Sequence, residues 1–505
     1  MISYIKNKKI FFFQQRYWGL KIGHPLAKRF FNLGAIIGGL VFNSSLFINY
    51  KEQKNFKYEW LECYDDIIEN AEKYLEGSNI SLSDICKNLN IESVWPIVQT
   101  FREITKSYKD KYFYGFKQNV TDEDIIFIIK ASYKLIIDIN NNFKPDIIIM
   151  PNFVNLIHHF AYLFAKKNKI KIIGYTYDMI TEKILLTRDP FDMDNIYNEK
   201  INFYKKNKLK SKFYFIAKEF LDKKREEYRL ASVYNVIKNN FLKDFIYVCK
   251  KIILILFKLT FLKYKFSKKF GVKMEESHLS LRFLLRDFLY RNYYKYKINK
   301  INYYNLENIK KYAYFCLQYQ PEQNVDNTSD GLNNQIEVAR QIAMNLPDDL
   351  TLVVKDHPMM YGKRPFSYLE KILKTPNVKL ISPHYNGIHV IKNCEVLIAT
   401  TGTSFHEAAI LKKPAILLGN WGHARILPNV KKIFHFREIP KTYKELKILS
   451  ETWSEEFYNN QLLINMSVSY EVGFDYNYKK LWTSDYNSDE DLDGIFNEYC
   501  KEIMH

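Results

Sequence analysis

The stretch from Thr351 to Arg425 constrains this chain most. It opens on TLVV, an apolar run of strand length that ends in Lys355-Asp356-His357-Pro358. A second run, VLIA, ends in Thr400-Thr401-Gly402-Thr403-Ser404, and FHEAAILKK, Pro414 and AILLG follow it. Strand, small-residue loop, helix and strand make a βαβ unit. Pro358 keeps His357 extended and stops the chain just past its strand. Two polar loops therefore leave the carboxyl ends of two strands, where open α/β sheets bind ligands. The N–H groups and hydroxyls of Gly402, Thr403 and Ser404 at a helix start suit a phosphate or another anion.

The same rhythm extends to both sides. KYAYFCLQYQPE, from Lys311, predicts a strand and a polar loop, and NNQIEVARQIAMNL an amphipathic helix. PFSYLEKILK, VKLISP and NGIHVIKN then predict helix, strand and short helix before VLIA. This is a doubly wound domain, placed at 309–440. Near the start, KIFFFQ and AIIGGLVF read as strands around a helix, PLAKRFFNLG, with Pro25 in its first turn and Gly34 as its stop. Gly23-His24 falls in the first loop, and no GxGxxG pattern is present. Helices are predicted from about 51 to 138, including EWLECYDDIIENAEKYL and SVWPIVQTFREITKSYKDKY. KPDIIIM, VNLIHHFAYLFAKKNK and KIIGYTY then read as strand, helix and strand, with Asp178 just beyond. A first Rossmann-like domain at 1–190, a helical segment at 191–308 and a helical tail at 441–505 packing back across the domains complete the division.

Charge narrows the partners. The formal net charge is +19, which calls for an anionic partner. From Lys243 to Lys300 there are 15 Lys or Arg against four Asp or Glu, a surplus of 11. KKIILILFKLTFLKYKFSKKF alternates apolar runs with lysines, a pattern for a helix lying on anionic lipid, or else for a solvated helical insert. Charge interrupts it too often to span a bilayer. No nucleic-acid module is recognisable, so that partner is not expected. The uncharged run from Phe30 to Tyr50 is read as soluble because Asn, Ser and Gly-Gly break it. No convincing signal peptide precedes it, and the six cysteines carry no CxxC spacing. The expected location is cytoplasmic, at the inner face of the cell membrane.

Two Rossmann-like halves without a dinucleotide or Walker loop suggest a GT-B glycosyltransferase: α/β, two domains facing a cleft, with a basic helical insert between them. The motifs LQYQPE (317–322), VKDHP (354–358) and TGTSFHEAAILKKPAILLG (401–419) resemble the bacterial capsule polysaccharide biosynthesis family, which includes capsular Kdo transferases. The resemblance implies a sugar, Kdo or another CMP-activated acidic one, moved from a nucleotide-sugar to a lipid-linked or glycan acceptor. The alternatives are a CDP-polyol phosphotransferase of teichoic-acid-like polymers and a non-catalytic assembly or export protein.

By that resemblance His357 and Pro358 lie near the donor phosphate, with Lys355 beside them. Gly402, Thr403 and Ser404 supply donors, and Glu407 accepts from the ribose. Gln320 and Glu322 face the cleft after the domain's first strand, with Glu322 on a sugar hydroxyl. Lys363 and Arg364 follow closely enough to meet anionic groups. Helix capping, turn formation and solvated loops are the plain alternatives for these positions. An inverting transfer needs a base from the first domain, and His24 and Asp178 are the two candidates. No His/Asp/Glu set has metal spacing, and neither a metal nor a cofactor is expected.

Overall fold

The computed structural model describes residues 2–15, 18–53, 56–101, 121–234, 241–261, 281–320, 323–329, 331–475 and 489–505. Twelve strands are placed among them: β1 Lys9–Gln14, β2 Ile36–Val41, β3 Trp60–Cys63, β4 Ile147–Ile149, β5 Lys171–Tyr177, β6 Ile184–Thr187, β7 Tyr312–Cys316, β8 Thr351–Lys355, β9 Val378–Ile381, β10 Val396–Ala399, β11 Ala415–Leu417 and β12 Val430–Lys432. They form two six-stranded sheets, ordered β3-β2-β1-β4-β5-β6 and β12-β11-β10-β7-β8-β9. Both follow the Rossmann order, with chain direction reversing about the first strand of each sheet. Every pairing is parallel except β5 with β6. The expected architecture of two doubly wound α/β lobes is the one observed.

Each sheet is buried on both faces, which is why its central strands read as continuous apolar runs. Successive side chains point to opposite faces. Phe11 and Phe13 accordingly enter one core of the first lobe, Ile10 and Phe12 the other. Tyr312 and Tyr314 divide in the same way from Ala313 and Phe315 in the second lobe. Gly38 in β2 leaves room for the Phe11 ring, since a Cβ there would lie 2.6 Å from it.

Three edge strands depart from expectation. The segment WLEC, read as part of a helix, is β3 and pairs with β2. β6 and β12 were not read as strands: β6 pairs antiparallel with β5, outside the βαβ rhythm, and VKK in β12 has only one apolar residue. Gly23 and His24 are not in a loop: a π-turn at Gly19–Gly23 runs straight into the helix His24–Asn32. Of the helix expected over SVWPIVQTFREITKSYKDKY, Trp95–Val98 is helical, and residues 102–120 lie outside the described part.

The segment between the sheets is helical where described, at Ile196–Asn207, Tyr214–Arg229, Phe241–Phe261 and Leu281–Ile298. The tail bridges the lobes. Helix Glu455–Val472 packs on the helices at Ile196–Asn207 and Tyr214–Arg229. Helix Asp489–Met504 packs on the first lobe, with Phe496 and Phe30 ring centroids 4.9 Å apart and Arg188 Nε donating to Glu502 Oε1 at 2.7 Å.

Candidate functional site

A cavity of about 230 Å³ opens at the carboxyl ends of β7, β8 and β10. β7 and β10 are the neighbouring strands from which the chain winds in opposite directions, and such a switch point leaves a crevice. The residues after β7 contribute Leu317 and Gln318, those after β8 Asp356, His357 and Pro358, and those after β10 Thr403, Ser404 and Glu407. Lys355 and Cys316, the last residues of their strands, also line it. The loops around residues 357 and 407 thus meet in one place.

Lys355 is the centre of the site. It is 4% exposed, and its Nζ reaches the Asp356 carbonyl at 3.3 Å. An ammonium with three donors and one long bond is poorly satisfied, and burial holds its pKa below the usual lysine value. Glu407 stands near enough to be felt electrostatically. Burial pushes its carboxyl up, and the Lys355 charge and a 3.5 Å bond from Thr403 Oγ1 pull it down.

His357 is neutral. Burial, then Lys355, Arg364 and Lys363, lower its pKa to about 4. Its Nδ1 accepts the Met359 N–H at 3.2 Å, so the ring proton sits on Nε2 and is a donor. Thr403 occupies the N-cap position of helix Ser404–Ile410 but makes no side-chain cap bond, leaving its hydroxyl beside Glu407. Ser404 Oγ accepts from Cys316 Sγ at 3.4 Å. Gly402 holds φ at +111°, and a Cβ on it would meet Gln318 Oε1 at 2.7 Å. Only glycine lets this loop press on the cavity wall in that conformation.

The structure thus brings together Lys355, His357, Pro358, Thr403, Ser404 and Glu407 on one cavity, with Gly402 shaping it. Other expected residues lie elsewhere. Gln320 does not face a cleft: its amide donates to Asn333 O at 2.7 Å and accepts from Gln335 Nε2 at 2.7 Å, so it ties the loop to helix Gln335–Met344. Glu322 lies outside the described residues. Arg364 is fully buried and pairs with Asp356 at 2.9 Å, so it is not a basic loop group waiting for an anion.

Neither expected base opens on the cavity, whose lining comes wholly from the second lobe. His24 stacks on Tyr50 with centroids 4.2 Å apart and has Tyr58 Oη and Gln53 Oε1 each at 2.8 Å. Burial lowers its pKa to about 4. Asp178 accepts from Thr181 Oγ1 at 2.6 Å and Ile180 N at 3.1 Å, and it faces His406 and His423 across the lobe junction. Burial raises its pKa, but His406, His423 and the hydrogen bonds from Ser469 and Thr181 together hold the carboxylate below its usual value. Both residues are spent on structure.

Sequence reading missed Cys316, Gln318 and Asn386. The strand-end rule that found Lys355 applies equally to Cys316 and Gln318 at the end of β7. Asn386 gave only a helix-start signal, and its Oδ1 does accept the Ile388 N–H at 3.0 Å. Among the described residues, no group of three or more His, Cys, Asp or Glu could hold a metal ion.

The family model of capsule polysaccharide biosynthesis proteins matches residues 212–424. The resemblance drawn from the three motifs therefore holds. It also reaches back well before Lys311 into the basic helical segment and takes in every residue lining the cavity. No curated protein matches the sequence significantly. Similar solved structures include UDP-GlcNAc 2-epimerase from Methanocaldococcus jannaschii, 14% identical, covering 91% of this chain and 98% of that one at a TM-score of 0.24. The β-Kdo 2,7 transferase KpsC from Thermosulfurimonas dismutans is 10% identical, with 67% and 80% covered and a TM-score of 0.29. A glycosyltransferase from Rickettsia africae ESF-5 is 10% identical, with 95% and 100% covered and a TM-score of 0.23. At such TM-scores these likenesses carry no argument about activity.

Proposed function

We propose that this chain, which carries the capsule polysaccharide biosynthesis family's pattern over residues 212–424, is a glycosyltransferase whose second lobe grips the phosphate of a nucleotide-activated sugar. The observation that carries the reading is Lys355, a buried, under-bonded ammonium at the switch point of a Rossmann-ordered sheet. An anion entering the cavity would complete its bonding. The Nε2–H of His357 and the hydroxyls of Thr403 and Ser404 supply further donors around the same space. Glu407 accepts from a sugar or ribose hydroxyl.

As the glycosidic carbon–phosphate oxygen bond breaks, charge gathers on the leaving phosphate. Donors already fixed in place stabilise that charge without reorganising. At about 230 Å³ the cavity is smaller than the ~300–1,000 Å³ of drug-sized sites, so it takes the phosphate and its neighbouring ring, with the rest of the donor outside. The donor we favour is a CMP-linked acidic sugar, because its two anionic groups match the clustered donors.

Calorimetric titration with CMP, CDP, UDP and GDP tests this reading. Lys355→Met removes a charge-assisted contact of ~1.5–3 kcal/mol, so affinity should fall about ten- to a hundredfold for the preferred nucleotide. His357→Ala should lose less, since it removes one neutral donor. If both variants fold and bind every nucleotide as the parent does, the site is wrong.

A further inference from the structure

The helices Ile196–Asn207 and Tyr214–Arg229 meet at a tight corner, within a stretch described without a break from 121 to 234. Lys208 ends the first helix in the left-handed conformation, with φ at 55°, and Leu209 N donates to Tyr204 O at 3.1 Å. Tyr214 N donates to Ser211 O at 3.0 Å as the second helix begins. Glu471 holds the corner from inside. Its Oε2 accepts from Tyr204 Oη at 2.9 Å and from Ser211 Oγ at 2.7 Å, and its Oε1 accepts from Lys200 Nζ at 2.5 Å.

The outer side of the corner is both apolar and basic. Phe203, Leu209, Phe215 and Ile216 are 54, 49, 78 and 50% exposed. Phe203 stands two residues from buried Ile201, and Phe215 two from buried Ala217. At about 100° per residue, each ring is on the far side of its helix from the core. From Phe203 to Lys218 the sequence holds six lysines and no Asp or Glu. Lys206, Lys208, Lys210, Lys212 and Lys218 are exposed, whereas Lys205 turns onto the Ile426 carbonyl at 3.3 Å. Large apolar side chains grouped in water within one sign of charge mark an interaction site.

We infer that this corner docks on an anionic lipid surface, with its four apolar side chains entering the headgroup region and its lysines on the lipid phosphates. The chemistry selects that occupant. A second copy set symmetrically against the corner would place lysines against lysines. A nucleic-acid strand would pair with the lysines and could stack on the two phenylalanines, but it would leave Leu209 and Ile216 wet. A bilayer interface takes aromatic, aliphatic and cationic groups together. Among the described residues no helix is long and apolar enough to cross a membrane, and the corner itself is a turn between helices. The lipid-facing pattern expected of KKIILILFKLTFLKYKFSKKF falls partly on residues 262–270, outside the described part, and the corner is separate from it.

Helix Tyr214–Arg229 ties the corner to the cavity. It packs on helix Ser404–Ile410, and Tyr228 in its last turn is near enough to Glu407 to be felt electrostatically. From Phe215 to Tyr228 the helix rises about 20 Å. Docking thus holds the cavity about one helix length from the headgroups, where a lipid-linked acceptor would be met. The docking rests on the surface alone, and its failure would leave the nucleotide reading untouched.

Flotation of the full chain with phosphatidylcholine vesicles, with and without phosphatidylglycerol, is the test. Binding is expected only with the anionic lipid, and high salt should weaken it. Phe215→Ser/Ile216→Ser should cut partitioning about tenfold or more at an unchanged melting temperature, because both side chains are exposed. Lys206→Glu/Lys212→Glu should cut it comparably without touching the apolar groups. Failure of the parent chain to bind anionic vesicles overturns the inference, as does binding that Phe215→Ser/Ile216→Ser leaves intact. A dimer seen by light scattering and abolished by that double substitution also overturns it, because the corner would then belong to a second copy. Polyuridylate binding that the same neutral substitution weakens as much as vesicle binding overturns it as well.

Discussion

Asp356 and Arg364 hold the cavity loop from inside. Asp356 accepts the His357 N–H at 2.8 Å and pairs with Arg364 Nε at 2.9 Å, while Arg364 also bonds the Gln318 carbonyl. One buried pair therefore links the loops after β7 and β8, and it fixes the backbone that aims His357. The sequence placed His357 correctly at a strand end but treated Arg364 as a basic loop residue. Nothing in its immediate neighbours marks it as buried, because its partner lies back across a turn. Arg364→Met would leave the Asp356 carboxylate enclosed without its counter-charge. Removing one partner of a buried pair costs ~3–5 kcal/mol, so urea unfolding should show a loss of that size. A loss under about 1 kcal/mol would mean that solvent reaches Asp356.

Elements were legible where they are central and apolar, while three of the four edge strands, β3, β6 and β12, were missed and the fourth, β9, was read from VKLISP. KIFFFQ, AIIGGLVF, TLVV and VLIA are buried on both faces, and burial imposes the run of apolar residues that sequence reading uses. β3 and β12 are largely half-exposed edges and β6 is the antiparallel strand outside the βαβ rhythm, which is why these three went unread. The cavity was legible for a related reason: strand ends followed by polar loops can be found from the runs themselves. The base was not. Asp178 directly follows β5 and His24 opens the helix after β1, and only tertiary packing shows that their hydrogen bonds are already taken. The tail helix Asp489–Met504 raises a question of its own scale, since it must fasten to the first lobe through few residues. Ile495 is buried in that lobe's core beside Tyr499 and Cys500. Ile495→Ala should therefore cost ~2–4 kcal/mol, read as a lower unfolding midpoint in urea, with nucleotide affinity unchanged. If the midpoint holds, the helix is a passenger on the lobe rather than part of its core.

Across the whole molecule, buried neutral histidines couple the fold to pH. His24 lies in the first lobe, His159 in the first-lobe helix Leu156–Asn168 within reach of Asn327 from the second lobe, and His406 beside Asp178 at the junction. Burial lowers each to about 4. Unfolded, each would titrate near ~6.5, so between that value and about 4 the unfolded chain binds more protons than the folded one. Their contribution to stability is complete above ~6.5 and is lost as pH falls towards 4. Asp192, Asp356 and Glu407, raised by burial, take up protons in the folded chain first and oppose this trend. The slope contributed by one histidine can still be isolated by removing it. His406→Gln should flatten the plot of unfolding free energy against pH across that window by up to ~1.4 kcal/mol per pH unit, whatever the substitution does to absolute stability. An unchanged slope would show that His406 is already charged in the folded chain. The contact between Asp178 and His406 would then add no pH dependence to the lobe junction across that window.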